Sequence, residues 1–234
     1  MRIEVHWLVT ANANPTWLDE SRAWLQGPER DRHDRLLVPE RGREFLLGRW
    51  LLRKTIATAL GTTPAEIRLG EGPHGRPTLA RPTPPLHPTF DFNASHGGGV
   101  VAVAIAHGGR IGIDLEDLAR NLPARRIDRF LAPEENEALA ALAPDSITTA
   151  FWRTWTLKEA VLKATGNGIA GGLGSVAIRL GDTPHVCRFD DCPSDRLRWQ
   201  LREFRLRTEV QLAVAGFPDP GNFDPISLTI AEAC

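Results

Sequence analysis

The sequence predicts an α+β fold built as two related lobes, because one order of elements is read twice along its 234 residues. In each half a strand precedes a long helix closed by glycine, and further strands follow. Local segments match in the same order. Leu51–Gly61 (LLRKTIATALG) lines up without a gap on Thr156–Gly166 (TLKEAVLKATG), Ile67-Arg-Leu recurs as Ile178-Arg-Leu, and Val100–Ala104 resembles Val210–Val214. Self-similarity in a fixed order is the mark of an internal repeat. It divides the chain into lobes 1–107 and 108–234, joined near His107–Arg110 and working as one unit. Paired lobes leave a cleft between them, a favoured place for a ligand.

Ile3–Leu8 alternates apolar and polar residues and reads as a strand. Trp17–Gln26 is a short helical segment, and Glu29–Arg35 is strongly basic. A longer helix runs from about Glu40 to Leu60, stopped by Gly61. Glu66–Leu69 reads as a short strand. Gly72–Pro88, rich in proline and glycine, is a loop of polyproline character. Phe90–Ala94 is a strand, Ser95-His-Gly-Gly-Gly a turn, and Val100–Ala106 a strand. In the second half, Ile111–Glu116 is a strand. Ala124–Phe130, Pro133–Ala143 and Ile147–Thr165 are helical, and Val176–Leu180 and Arg202–Ala215 supply strands.

The composition is that of a globular protein: 42% hydrophobic, 24% charged, formal net charge -1. Near-neutral charge argues against general binding to nucleic acid. No apolar run approaches the roughly 18 residues of a membrane span. Cys187, Cys192 and Cys234 form neither a disulfide framework nor a zinc spacing. The opening Met1-Arg-Ile-Glu-Val-His-Trp lacks the apolar core of a secretion signal. The expected location is the cytoplasm.

Chemistry concentrates in a few segments. Only three lysines occur, Lys54, Lys158 and Lys163, and two of them flank Glu159 in Trp155-Thr-Leu-Lys-Glu-Ala-Val-Leu-Lys163. Taken alone, Glu159 and Lys163 read as an exposed i,i+4 ion pair worth a few tenths of a kcal/mol. In Gly112-Ile-Asp-Leu-Glu, Asp114 and Glu116 stand two apart on a strand, so their side chains share a face. Paired carboxylates repel unless a cation lies between them, and hard oxygen ligands suit Mg²⁺. An exposed polar strand face is the other reading. Gly112 marks a close backbone approach. Ser95 and His96, followed by three glycines, present donors for a phosphate. Gly72-Pro-His-Gly-Arg-Pro carries His74, Gly75 and Arg76 on a rigid turn, and Arg76 suits bidentate phosphate contact. Arg30, Arg32, His33, Arg35, Arg41 and Arg43 form a basic cluster, most of it a solvated helix face. Glu134 and Glu135 follow Pro133, where acids satisfy a helix N-terminus.

Taken in order, the basic cluster, Gly-Arg-Pro, Phe-Asn-Ala-Ser-His, Gly-Ile-Asp-Leu-Glu and Trp-Thr-Leu-Lys-Glu-Ala-Val-Leu-Lys resemble the 4′-phosphopantetheinyl transferases of the surfactin-synthetase-activating type. The resemblance spans roughly residues 28 to 168. It implies the pseudo-duplicated two-lobed fold of that family, a small sheet with packed helices in each lobe, and an active site in the cleft. It implies transfer of the phosphopantetheine arm of coenzyme A to a serine of an apo acyl or peptidyl carrier protein, releasing 3′,5′-ADP. By motif, Asp114, Glu116 and Glu159 match the Mg²⁺ carboxylates, with Mn²⁺ as an alternative ion. Lys163 matches a diphosphate contact and Lys158 its basic neighbour. Ser95 and His96 match the phosphate-binding Ser-His. His74, Gly75 and Arg76 match the nucleotide segment, with Arg where Lys is common. Arg32 and Arg43 match N-terminal phosphate ligands, with His33 and Glu44 competing for those positions across a one-residue gap. Glu135 aligns with a general base, and deprotonation of the serine falls to Glu135, Glu159 or a metal-bound water. The implied state is a monomer with an internal pseudo-two-fold, without nucleic-acid or membrane partners. The alternative is a non-catalytic module that binds coenzyme A or a carrier protein. A generic Mg²⁺-dependent nucleotide hydrolase lacks its P-loop here.

Overall fold

The structure is a computed structural model that describes residues 1–80, 90–122, 127–166, 172–221 and 226–233. Residues 81–88 of the Pro-rich loop, 124–126 of the helix expected before Phe130, Asn167 and Gly168, and Cys234 lie outside the described residues.

Strands β1 (Arg2–Val9), β4 (Phe90–Gly97), β5 (Val100–His107) and β11 (Ser227–Glu232) form one sheet in the order β11-β1-β5-β4. Strands β6 (Gly109–Asp117), β9 (Gln200–Arg207) and β10 (Val210–Pro218) form another in the order β6-β10-β9. Within both, β1-β5-β4 and β6-β10-β9 are antiparallel throughout. Two short hairpins accompany them, β2 (Leu69–Glu71) with β3 (Pro77–Leu79) and β7 (Val176–Arg179) with β8 (His185–Phe189). The helices are α1 (Pro15–Trp24), α2 (Gly27–Asp34), α3 (Pro39–Leu60), α4 (Pro133–Ala140) and α5 (Pro144–Thr165).

The period-2 pattern of the strands decides the layering. On β5, Val101, Val103 and Ile105 pack against Leu47, Leu51 and Leu52 of α3. Its other face, Val100, Ala102, Ala104 and Ala106, meets Ile111, Ile113 and Leu115 of β6 and Leu212 and Val214 of β10. On β10 the opposite residues, Ala213, Ala215 and Phe217, pack against Leu157, Ala160 and Val161 of α5. The order of layers is therefore helix, sheet, sheet, helix. Burying each large aliphatic side chain in these layers contributes about 2 kcal/mol. Both long helices have Pro at the first position and end on a left-handed glycine, Gly61 (φ 64°) and Gly166 (φ 81°).

Several local expectations are corrected. Pro64–Glu66 is a 3-10 turn, and the strand begins only at Leu69. The Glu66 carboxylate accepts from the Thr63 N–H at 2.9 Å, a capping contact that favours a helical turn over extension. The turn expected over Ser-His-Gly-Gly-Gly is shorter: β4 continues through Ser95, His96 and Gly97, and only Gly98 and Gly99 turn. Both have positive φ, 57° and 71°, as a two-residue hairpin of matching twist requires. Ile127–Arg129 is a 3-10 turn, and α4 stops at Ala140. β3, inside the segment read as a loop, β8 and β11 were unexpected; β3 pairs with β2, and β11 pairs in parallel with β1 in the first sheet. No described helix is long and apolar enough to cross a membrane.

Candidate functional site

The two sheets meet along β4 and β6, and side chains join them there. Asp91, Asn93 and Ser95 alternate along one face of β4. Their oxygens accept from the backbone N–H groups of Ile111, Ile113 and Leu115 of β6, at 2.8, 3.1 and 3.2 Å. The next position of that face is Gly97, where a Cβ would run into the Leu115 carbonyl oxygen. This side-chain ladder fixes where β6 presents its own alternate residues, Gly112, Asp114 and Glu116, to α5. A Cβ on Gly112 would strike the backbone of Ala160 and Ala164. The close approach expected at Gly112 is thus made by helix α5, which brings Glu159 and Lys163 beside the two strand carboxylates.

Lys163 Nζ lies 2.6 Å from Asp114 Oδ1 and donates to Ser95 Oγ at 3.1 Å. Ser95 Oγ in turn donates to Asp114 Oδ1 at 3.0 Å. Asp114 Oδ2 and Glu159 Oε1 are buried without a hydrogen-bond partner. Burial first, then the negative charges of Asp114 and Glu116, push the Glu159 carboxyl up to about 7. Burial and Asp114 also raise Glu116, whose Oε2 accepts from Arg120 at 2.6 Å. Buried carboxylate oxygens without donors are costly, and a cation relieves both the lost hydration and the repulsion. The residues present therefore fit a divalent ion, with Asp114 and Glu159 open to it and Glu116 engaged by Arg120. Among the described residues, no group of three or more His, Cys, Asp or Glu side chains is arranged to hold a metal ion, so the fit rests on the Asp114–Glu159 pair.

A groove leads away from these carboxylates. A cavity of about 780 Å³ lined by Asp114, Glu116, Lys163, His96 and Arg41 adjoins a smaller one that shares Ser95, His96 and Glu44 and reaches Arg32 and Gly75. A third, of about 550 Å³, continues past Arg32 and Gly75 to His74 and Arg35. His74 (φ 57°) and Gly75 (φ 77°) are both left-handed, which turns the segment back toward α2. Arg32 stays half exposed, 4.0 Å from Glu71. His96 lies 3.4 Å from Glu44, and burial lowers its pKa.

Four expected site residues, three ligands and the base Glu135, have other contacts. Arg76 spans both halves: Nη2 donates to both Asp91 oxygens at 2.8 and 2.9 Å and to the Phe92 and Ile111 carbonyls, while Nη1 reaches the Lys163 carbonyl. It clamps β4, β6 and the end of α5, with the Asp91 carboxylate already as its anionic partner. Arg43 donates to the carbonyl of Thr10 at 2.9 and 3.1 Å, tying α3 to the end of β1. Lys158 has no exposed surface and is paired with Glu135. Glu135 is 2% exposed and also accepts from the Ala132 and Ile178 N–H groups, each at 2.7 Å. It caps α4 and holds β7, and it lines none of the three cavities of this groove.

Sequence reasoning missed Asp91, Asn93 and Arg120, and had Glu44 only as a competing alignment for an N-terminal ligand. The alternation Asp91-x-Asn93-x-Ser95 on a strand with apolar intervening residues was a legible signal of a polar edge. Nothing local marked Arg120.

A groove of basic and imidazole side chains ending in clustered carboxylates suits an enzyme acting on a phosphorylated substrate. Comparison with known proteins gives the family. A family model described as the 4′-phosphopantetheinyl transferase superfamily matches residues 110–215, and one described as 4′-phosphopantetheinyl transferase, N-terminal, matches residues 12–108. The chain is 34% identical to the 4′-phosphopantetheinyl transferase HetI of Nostoc sp., over 92% of this chain and 89% of that protein. It is 32% identical to a 4′-phosphopantetheinyl transferase of Bacillus subtilis, over 86% of each. It is 33% identical to a phosphopantetheinyl transferase of Thraustochytrium sp., over 82% of this chain and 70% of that one. The chain belongs to the 4′-phosphopantetheinyl transferase superfamily and is an enzyme of that class.

Proposed function

We propose that the groove between the two sheets takes coenzyme A and that transfer of its phosphopantetheine arm to a carrier-protein serine occurs beside Asp114 and Glu159. The observation that carries this reading is the pair of donor-free buried oxygens, Asp114 Oδ2 and Glu159 Oε1, beside the Lys163 ammonium. Arg32, His74 and Gly75 line the far end of the groove and are assigned to the nucleotide end of coenzyme A. Ser95, His96 and Lys163 are assigned to its diphosphate. The first lobe thus supplies most of the nucleotide contacts and the second most of the chemistry, and the enzyme works as a monomer.

Asp114 and Glu159, joined by Glu116, are assigned to the divalent ion, Mg²⁺ by its preference for carboxylate and phosphate oxygens. When bound, the ion neutralises charge developing on the phosphoryl oxygens. Lys163 adds a fixed positive charge on the same side. The carrier serine oxygen attacks the phosphorus bearing the pantetheine arm. The new P–O bond forms as the bond to 3′,5′-ADP breaks, and the serine proton leaves to a base. With Glu135 engaged by Lys158 and two backbone N–H groups and outside the groove, Glu159 is the other of the two side chains considered for that proton. Because such transfers rest on positioning and charge stabilisation, the Arg76 clamp and the β4–β6 ladder contribute by holding Asp114 and Lys163 in place.

Incubation with coenzyme A, Mg²⁺ and a panel of apo carrier proteins, read by the mass gain of the attached arm, tests the reading. Full transfer by Asp114→Ala would overturn the ion assignment. A folded wild-type chain that binds coenzyme A and modifies no carrier would favour the binding-module alternative.

A further inference from the structure

Glu116 differs from its two carboxylate neighbours in already having a cationic partner that is not part of the groove's catalytic set. Arg120, in the turn just beyond β6, places Nη1 2.6 Å from Glu116 Oε2. Its guanidinium lies over the Trp152 indole, 4.8 Å from the ring centroid. The Trp152 Nε1 donates to the Arg120 carbonyl at 2.9 Å, so backbone and side chain of Arg120 are both set by one residue of α5. The Arg120 side chain remains 56% exposed, whereas that of Glu116 is 16% exposed. Trp152 itself is buried and pinned among Phe151 and Trp155.

We infer that Arg120 is a positioning residue that competes with the divalent cation for Glu116, holding this carboxylate on the Trp152 side until an ion draws it toward Asp114 and Glu159. The inference rests on the assignment of those three carboxylates to the ion. A single-pronged pair whose guanidinium is more than half exposed is weak enough to be displaced, and a hard divalent ion offers the mostly buried Glu116 carboxylate a stronger partner. The indole face then keeps the released guanidinium parked, since cation–π contact survives the loss of the carboxylate. The arrangement delays assembly of a full cage of negative oxygens until a cation is there to stabilise it.

The test is titration of Mn²⁺ into the full-length chain without coenzyme A, with free ion followed by electron paramagnetic resonance. Removing a partner of this strength is expected to tighten Mn²⁺ binding about fivefold in Arg120→Ala. Arg120→Met, which keeps apolar bulk over Trp152, should show the same gain, so a loss of packing cannot mask it. Arg120→Lys should stay near wild type. In a Glu116→Gln background the gain should vanish. Unchanged or weaker binding in both Arg120→Ala and Arg120→Met overturns the competition. An equal gain in the Glu116→Gln background overturns it too, because the effect would then be one of general charge. If wild type binds no Mn²⁺ at all, the ion assignment fails together with the inference built on it.

Discussion

Helices α3 and α5 are each 22 residues long, open on proline, close on a left-handed glycine and cover the outer face of their own sheet. Each also buries one cation against the third residue of the short helix before it: Arg53 on Glu29 of α2, Lys158 on Glu135 of α4. In both cases that glutamate also accepts from the N–H of its own helix cap. One residue further along, the two helices part. Lys54 is exposed above the Trp50 ring, while Glu159 is buried beside Asp114. Four residues later, Thr58 is exposed where α5 carries Lys163. Both halves therefore share the ion pair that fastens a short helix to a long one, and they differ on the adjoining helix face, to which the proposed chemistry is assigned. A turn of about 100° per residue is enough to separate frame from function.

The comparison breaks most sharply at that face. Glu159→Ala should reduce transfer to an apo carrier by about three orders of magnitude, the scale expected when charge stabilisation at a phosphoryl group is removed. Lys54→Ala, at the matching place on α3, should leave turnover unchanged. Both proteins should unfold cooperatively, and a turnover assay beside a thermal melt reads the two effects separately. Comparable losses from both substitutions would mean that α3 also takes part in the chemistry.

The frame can be probed where the halves agree. Glu135→Ala strands the Lys158 ammonium with no exposed surface, and breaking such a pair costs about 3–5 kcal/mol. Glu29→Ala should cost at least as much, because it strands Arg53 and also removes the partner of Arg49, 3.1 Å away. Urea unfolding measures the loss. Turnover per folded molecule of Glu135→Ala should remain at the wild-type level, since Glu135 lies outside the groove. A pH-dependent loss of kcat without loss of stability would restore Glu135 as a base.

The framework was legible where periodicity and spacing carry it. Gly61 and Gly166 announced the helix ends, Gly112 announced a close approach, and the gapless match of Leu51–Gly61 to Thr156–Gly166 marked the equivalent helices. Asp114, Glu159 and Lys163 were found from motif and meet as expected. Orientation around the helix axis was harder. Lys158 and Glu159 are neighbours in sequence, yet one turns into the core toward Glu135 and the other toward β6. Arg76 and Arg43 read as phosphate ligands because guanidinium suits phosphate; it suits backbone carbonyls equally, and only the fold decides which acceptors are near. β11 was missed because its partner is β1, more than two hundred residues away, and pairing at that distance leaves no local trace.

Asymmetry between the halves also has a pH signature. The folded chain holds the Glu159 carboxyl near 7, above its ordinary 4.5. A carboxyl raised on folding binds its proton more tightly in the native state, so ionising it opposes folding. Stability of the metal-free protein should therefore fall as pH rises from about 4.5 through about 7, by on the order of 3 kcal/mol. Glu159→Gln should flatten that slope and leave the protein more stable at pH 8, whereas Lys54→Gln should leave the slope as it is. Added Mg²⁺ should also flatten the slope in wild type but not in Glu159→Gln. Urea midpoints across the pH range report all three.

The smallest effect tests whether the halves are equivalent where they look most alike. Gly61 and Gly166 both terminate a 22-residue helix with positive φ, and a Cβ at either would touch nothing within 4 Å. Alanine there meets no neighbour, so its cost is the left-handed backbone alone, about 1–2 kcal/mol at each site. The two substitutions should lower the melting temperature by similar amounts. They should differ in turnover, because Gly166 follows Lys163 by three residues and its N–H donates to the Lys163 carbonyl, which Arg76 also grips. Strain at Gly166 reaches the lysine through that shared carbonyl; strain at Gly61 reaches only the exposed end of α3. A lower kcat in Gly166→Ala at unchanged Gly61→Ala activity would place the functional divergence of the lobes at the helix cap as well as on the helix face. Equal activities would confine it to the positions of Glu159 and Lys163.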